Sequence, residues 1–159
     1  MDYRIGFSKD IHELVIGRKL LLSGVTVPFE LGEKAHSDGD VVYHAVAESI
    51  LGALALGDLG KFFPDSSDDT LNMDSAIIVK TVVKMMKDQG YQINNIDVFI
   101  SLEKPKLKDY IEEMRKNIAD AAGIDPSFVS VKATTEEHLG FTGDGSGIAA
   151  HAVCLIEEK

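Results

Sequence analysis

The chain has 159 residues, 45% of them hydrophobic and 26% charged, which suits one globular domain (1–159) with a sizeable core and argues against disorder. No apolar run approaches the roughly 18 residues of a membrane span, "MDYRIGF" reads as carrying no secretory signal, and a lone Cys154 points to a reducing cytoplasm. The net charge of −10, with no Lys/Arg cluster, sets nucleic acid aside as a partner; an anionic small molecule would need divalent cations and backbone N–H groups to offset that charge.

In chain order, "YRIGF" (3–7) and "KLLLSGVTVPF" (19–29) are predicted strands, the second turning at Ser23-Gly24 and ending before Pro28. Asp40 to Leu56 is a predicted helix stopped by Gly57, and "FFPDSSDDT" (62–70) a polar loop. Asn72 to Gln89 has Ile77, Ile78, Val82, Val83 and Met86 at helical spacing, with Gly90 ending it. "YQINNIDVFISLE" (91–103) alternates as a strand does. A third helix spans Leu107 to Ala122 between Pro105 and Gly123, and "SFVSVKATT" (127–135) and "GIAAHAVCLIE" (147–157) complete the strands. Strands and helices mix without strict alternation, so the expected class is α+β: a mixed sheet with helices on one face. Met73, Met85, Met86 and Met114 are read as core filling.

"AHSDGDVVYHA" (35–45) gathers ligating and titrating groups at the start of a helix. Capping explains Ser37, Asp38 and Asp40; it does not explain His36 and His44. Asp40 and His44 are spaced i, i+4 on one helix face. In "KDIHEL" (9–14), Asp10 and His12 are spaced i, i+2, so both leave one face of an extended segment. With His44 they would make an N, N, O ligand set that keeps a fourth position open, as catalytic zinc sites do. That requires the first strand to lie beside the first helix's N-terminus; otherwise these are unrelated surface histidines. "KATTEEHLGFTGDGSG" (132–147) offers the Thr134 and Thr135 hydroxyls to phosphate oxygens and a carboxylate to a hard cation. Its glycines 143, 145 and 147 are read as a hairpin entering the last strand. In "LGDLGKFFPD" (56–65), Asp58 could accept a sugar hydroxyl, and Pro105-Lys106 could turn around a base edge.

Taken together, "RIG…DIH", "AHSDGD…H", "LGDLGKFFPD", "KPK" and "VKATTEE…LGFTG" resemble, in order and spacing, the 2-C-methyl-D-erythritol 2,4-cyclodiphosphate synthases of the non-mevalonate isoprenoid pathway. The resemblance spans nearly the whole chain. It implies a homotrimer around a three-fold axis, with sites between neighbouring subunits. It implies Zn²⁺ on Asp10, His12 and His44, and Mg²⁺ or Mn²⁺ on Glu137 bridging the diphosphate of a cytidine diphosphate substrate. His36, Asp40 and Thr135 then fall in the catalytic set, Asp40 as an orienting group near the metal-bound histidines. Ser37, Asp58, Gly60, Asp65, Pro105, Lys106, Thr134, Thr135 and Phe141 fall in substrate binding. The implied reaction is intramolecular: the 2-phosphate of 4-diphosphocytidyl-2-C-methyl-D-erythritol 2-phosphate attacks the β-phosphorus and expels CMP.

The chain departs from the family pattern at a few positions. Ser8 replaces a usual glycine, Glu48 a commoner aspartate and His138 a frequent lysine. Asp144 and Ser146 stand where many relatives carry Arg and Glu around a central cavity that can hold an isoprenoid diphosphate. Three Asp144 carboxylates would repel such a ligand, so its binding is not expected. A non-catalytic homologue that binds nucleotide or metal would be favoured by a missing ligand, yet all four metal-ligating residues are present. A zinc hydrolase using Asp40 as base leaves the threonine pair and the Pro105-Lys106 turn unexplained.

Overall fold

The structure, a computed structural model, describes residues 2–159, so Met1 lies outside the described residues. Seven strands and four α-helices follow one another: β1 (Tyr3–Ile16), β2 (Leu20–Leu22), β3 (Val25–Val27), β4 (Leu31–Glu33), α1 (Val41–Ala53), α2 (Ser75–Asp88), β5 (Tyr91–Ser101), α3 (Ile111–Ala122), β6 (Val129–Thr134), α4 (Gly140–Gly143) and β7 (Gly147–Glu158). The main sheet has the order β4-β1-β7-β5-β6, and β2 and β3 form a separate hairpin. Within the main sheet β5 and β6 run parallel and the other neighbours antiparallel, so the mixed α+β architecture stands.

Several boundaries differ from the sequence expectation, for physical reasons. β1 runs nine residues past the predicted end, because pairing with β7 continues from Tyr3↔Glu157 to Glu13↔Gly147 through charged residues that hide the alternation. Asp10 and His12 therefore lie inside a paired strand. Asp40 is the N-cap of α1, its side chain accepting from the Tyr43 N–H, while the helix ends at Ala53 ahead of Ala55 and Gly57, both with positive φ. Asn72, also at positive φ, cannot open α2, which is capped instead by Asp74. α3 starts at Ile111 rather than Leu107 and closes, as the sequence suggests, with Gly123 in the left-handed region at φ 68°. The expected hairpin before the last strand is replaced by the short helix α4 and a turn at Gly145.

The sheet has two unlike faces. Ile148, Ala150, Ala152, Cys154 and Ile156 of β7 point with Gly6 and Ser8 of β1 into the core, under a nearly all-buried α1 and beside α2 and α3. The opposite face carries Ile5, Phe7 and Ile11 of β1 and Phe99 of β5, exposed to 70%, 64%, 44% and 37%. Met86 and Met114 sit fully inside the core and Met73 and Met85 at its margin, filling gaps between helices and sheet.

One close approach sets how α1 lies on the sheet. A Cβ built on Gly6 would stand 1.7 Å from the Ser49 carbonyl oxygen, whereas one on Gly52 would meet nothing nearer than 3.9 Å. Gly6→Ala is therefore expected to destabilise the fold by about 1–3 kcal/mol, because α1 must lift from β1. Gly52→Ala, in a helix that tolerates it, is expected to be neutral or to stabilise by about 0.5–1 kcal/mol. Thermal melts of the two variants side by side check the contrast.

Candidate active site

Asp10 and His12 leave the face of β1 that α1 covers, since strand side chains alternate. Ser8, on the same face, donates its hydroxyl to the Ala45 carbonyl at 2.6 Å and seats the first turn of α1 there. That turn carries His44. Asp10 Oδ2 lies 3.2 Å from His12 Nε2 and 3.2 Å from His44 Nδ1. One ligand atom from each of the three side chains lies within 4.8 Å of the others.

The second nitrogen of each histidine is engaged elsewhere, which fixes the tautomers. His12 Nδ1 faces the Gly39 carbonyl at 2.8 Å; a carbonyl accepts only, so Nδ1 keeps its proton, and Nε2 is the nitrogen that presents a lone pair to the trio once the ring is neutral. His44 Nε2 lies 3.1 Å from Ser37 Oγ and 3.0 Å from Ser75 Oγ. Ser75 donates its own hydroxyl to Asp38, so its oxygen accepts from His44 and leaves Nδ1 for a ligand. Two imidazole nitrogens and one carboxylate oxygen, each oriented from behind, fit a divalent cation with an open position.

The electrostatics point the same way. With protons rather than a cation on the nitrogens that face it, burial works against ionisation of Asp10, yet the hydrogen bonds it accepts from His12 and His44 outweigh that and hold the carboxyl well below the usual range. Burial likewise opposes protonation of His12, but Asp10 and Glu33 outweigh it and raise its pKa to about 10. The carboxylates that draw a proton to His12 draw any other cation there too. Glu33 itself is fully buried, and burial raises its pKa to about 7 against the hydrogen bond from His12.

The trio opens on a cleft of about 330 Å³ whose walls include His36, Ser37, Gly60 and Asp65. Asp58 is exposed and caps the turn at Leu59–Lys61 by accepting from the Lys61 N–H. Glu48, one turn beyond His44, lines the cleft and accepts from the Leu59 N–H at 3.1 Å, tying that turn to α1. Asp40 stands apart from the cleft. Its fully buried carboxylate accepts from the backbone N–H groups of Ser23, Gly24 and Tyr43 at 2.9, 2.7 and 3.1 Å. It bears on the histidines only through the backbone it fixes.

A second hollow, of about 370 Å³, is lined by Pro105, Lys106, Thr134 and Thr135 with Leu102 and Ile111, next to a cis Lys104–Pro105 peptide. Glu137 follows, exposed and with φ of 52°. Phe141 lines neither hollow. It stands on the open sheet face with Lys9, Ser101 and His151. Asp10, Ala150, Ile100 and Ala133 form one cross-strand row, so the trio and the threonine pair of one chain are separated by three strand spacings, roughly 14 Å. Asp38, Ser75, Gly39 and Glu33 escaped the sequence reading as parts of this site; Ser75 opens a helix 31 residues after His44, and no local pattern marks it.

The YgbB family matches residues 3–157. A 2-C-methyl-D-erythritol 2,4-cyclodiphosphate synthase of Prosthecochloris aestuarii is 51% identical over 156 residues, spanning 98% of this chain and 99% of its own. The synthase of the same name from Clostridium novyi is 49% identical over 156 residues, with the same coverage. Among solved structures, the bifunctional IspDF from Campylobacter jejuni superposes with a TM-score of 0.96 at 37% identity, over 99% of this chain and 43% of that one. The Plasmodium falciparum IspF–CDP complex superposes with a TM-score of 0.87 at 34% identity, over 99% of this chain and 97% of that one.

Because His12 must shed a proton to bind a cation, and its pKa stands at about 10, proton and cation compete throughout the neutral range. Divalent-cation affinity is expected to fall about tenfold per unit of acidification from roughly pH 9 to pH 6. Co²⁺ titrations at a series of pH values measure this; a flat profile would remove His12 from the ligand set.

Proposed function

Since the chain belongs to the YgbB family, we propose that it converts 4-diphosphocytidyl-2-C-methyl-D-erythritol 2-phosphate to 2-C-methyl-D-erythritol 2,4-cyclodiphosphate and CMP, as a CMP-releasing phosphorus–oxygen lyase. The observation that carries this reading is the Asp10–His12–His44 trio, open on one side and backed by Gly39, Ser37 and Ser75. The 2-phosphate oxygen forms the new bond to the β-phosphorus, and the bond from that phosphorus to the α–β bridging oxygen breaks, leaving CMP. The nucleophile belongs to the substrate, so no protein nucleophile is needed. Holding the two phosphates in line can supply about 7–11 kcal/mol of the barrier reduction.

Asp10, His12 and His44 are the residues that would hold Zn²⁺, and Glu137, with substrate oxygens, Mg²⁺ or Mn²⁺. Together the two cations would orient a phosphate and offset charge developing on the diphosphate. The chain's own groups do the rest. His36 and Ser37 border the phosphate end of the first cleft, Thr134 and Thr135 offer hydroxyls to phosphate oxygens, and the Pro105-Lys106 turn fits a cytosine edge. Asp58, Gly60 and Asp65 are suited to the polyol. Asp40 contributes by holding the Gly39–Val41 backbone, and Phe141 by closing the open-face hollow.

Two hollows roughly 14 Å apart on one chain are hard to bridge with one compact reacting diphosphate. The exposed Ile5, Phe7, Ile11 and Phe99 form an apolar sheet face of the kind that marks self-association. A homotrimer that brings the cation trio of one copy to the cytidine hollow of the next answers both facts. Asp144, exposed and accepting from the Ser146 N–H, would then lie near the axis, where it disfavours an isoprenoid diphosphate.

Phosphorus NMR with that substrate and Mg²⁺ tests the reaction. CMP and a cyclic diphosphate signal are expected, and in His44→Ala, which removes a direct ligand, they should fall by more than the roughly 10–100-fold that losing an outer partner costs. A linear hydrolysed product would assign water as nucleophile and overturn the cyclase reading. Phe7→Asp is expected to shift the protein from trimer to monomer in sedimentation velocity and to abolish turnover while Co²⁺ still binds. Retained turnover by a monomer would exclude a shared site.

A further inference from the structure

Glu33 is the least expected charged group in the molecule. It ends β4 with 0% exposure. One carboxylate oxygen, Oε1, accepts from the Val41 N–H at 3.1 Å and lies 3.6 Å from His12 Nδ1, while Oε2 is buried without a hydrogen-bond partner. The nearby guanidinium does not neutralise it: Arg18 donates Nε to the Glu33 backbone carbonyl and Nη2 to that of Ser37. Asp40, also fully buried, adds a like charge.

A buried carboxylate without a paired cation is costly, and a half-satisfied one more so than an apolar side chain of similar size. The backbone N–H groups of Val41 and Leu21 that bear on it need only an acceptor, which a neutral amide would supply. The neighbour that specifically suits a negative charge here is the His12 ring, which becomes the positive end of the site whenever a cation sits on Nε2. The Gly39 carbonyl at 2.8 Å sets the ring's direction; Glu33 stands behind the same nitrogen and adds charge to that orientation.

We propose that Glu33 is a positioning residue of the cation centre: its buried carboxylate, 3.6 Å behind Nδ1 of His12, keeps the imidazole aimed at Asp10 and His44 and strengthens cation binding there. This rests on the reading that the trio binds a divalent cation. Outer carboxylates behind a ligating imidazole characteristically change metal affinity by about 10–100-fold.

The test uses the full chain and the metal alone. Zn²⁺ affinity is measured by chelator competition, and the Co²⁺ spectrum is recorded, for the unsubstituted protein, Glu33→Gln, Glu33→Leu and His44→Ala. Glu33→Gln keeps the volume and the acceptor for Val41, so its melting temperature is expected to be unchanged or raised while Zn²⁺ binding weakens about 10–100-fold. Glu33→Leu, which suits a buried site, is expected to weaken binding to a similar extent and to alter the Co²⁺ spectrum. Unchanged affinity in Glu33→Gln would overturn the proposal even if Glu33→Leu bound poorly, because only the acceptor for Val41 would then matter. A Zn²⁺ or Co²⁺ response in the unsubstituted protein that does not depend on His44 would overturn the cation reading as well, and would be recognised by its persistence in His44→Ala.

Discussion

The fully buried carboxylate of Asp40 is the contact through which the rest of the site is held. It accepts from Ser23 and Gly24 in the β2–β3 turn and from Tyr43 in the first turn of α1. Three backbone N–H groups converge on one side chain, and two of them lie in a turn whose residues have positive φ. Hairpin, loop and helix are thereby joined at a single point. The loop between them then has little freedom, and its Gly39 carbonyl and Ser37 hydroxyl face the two histidines. An anion at a helix N-terminus is favoured by the helix dipole; here it also fixes the direction from which α1 enters the core.

Around that point the protein gathers carboxylates in a chain that is already acidic. Asp10 and Glu33 flank the two nitrogens of the His12 ring, Glu33 adds its charge to that of Asp40, and burial raises the pKa of the last two. Such a cluster repels a polyanionic ligand unless cations intervene. The Asp10, His12 and His44 trio, positioned to hold a metal ion, answers that problem, because carboxylates that repel an anion attract a cation.

The two faces of the sheet divide the work. One is covered by α1, α2 and α3 and holds the core, with Gly6 and Ser8 allowing α1 to lie close enough for His44 to reach β1. The other carries aliphatic and aromatic side chains in the open. A sheet that buries one face internally and leaves the other apolar keeps free energy still to be gained when that second face is covered.

The amino-acid sequence by itself determined the class of fold, three of the helices, the main strands and the family, because helical and strand periodicity and the spacing of "DIH", "AHSDGD" and "KATT" are local properties of the chain. It also supplied the ligand types, since Asp10 and His12 share a strand face by alternation alone. Tertiary structure decided what periodicity cannot carry. Charged residues from Lys9 to Glu13 mask a strand that only pairing with β7 reveals. Whether Asp40 faces the histidines or the hairpin is decided by where Ser23 and Gly24 fold back, and the tautomers of His12 and His44 by Gly39, Ser37 and Ser75. Glu33 reads as one more surface acid until β4 pairs with the end of β1 and buries it behind His12. These are contacts between segments distant in sequence or set by a turn's path, and a side chain's electrostatic surroundings exist only once the chain has closed around it.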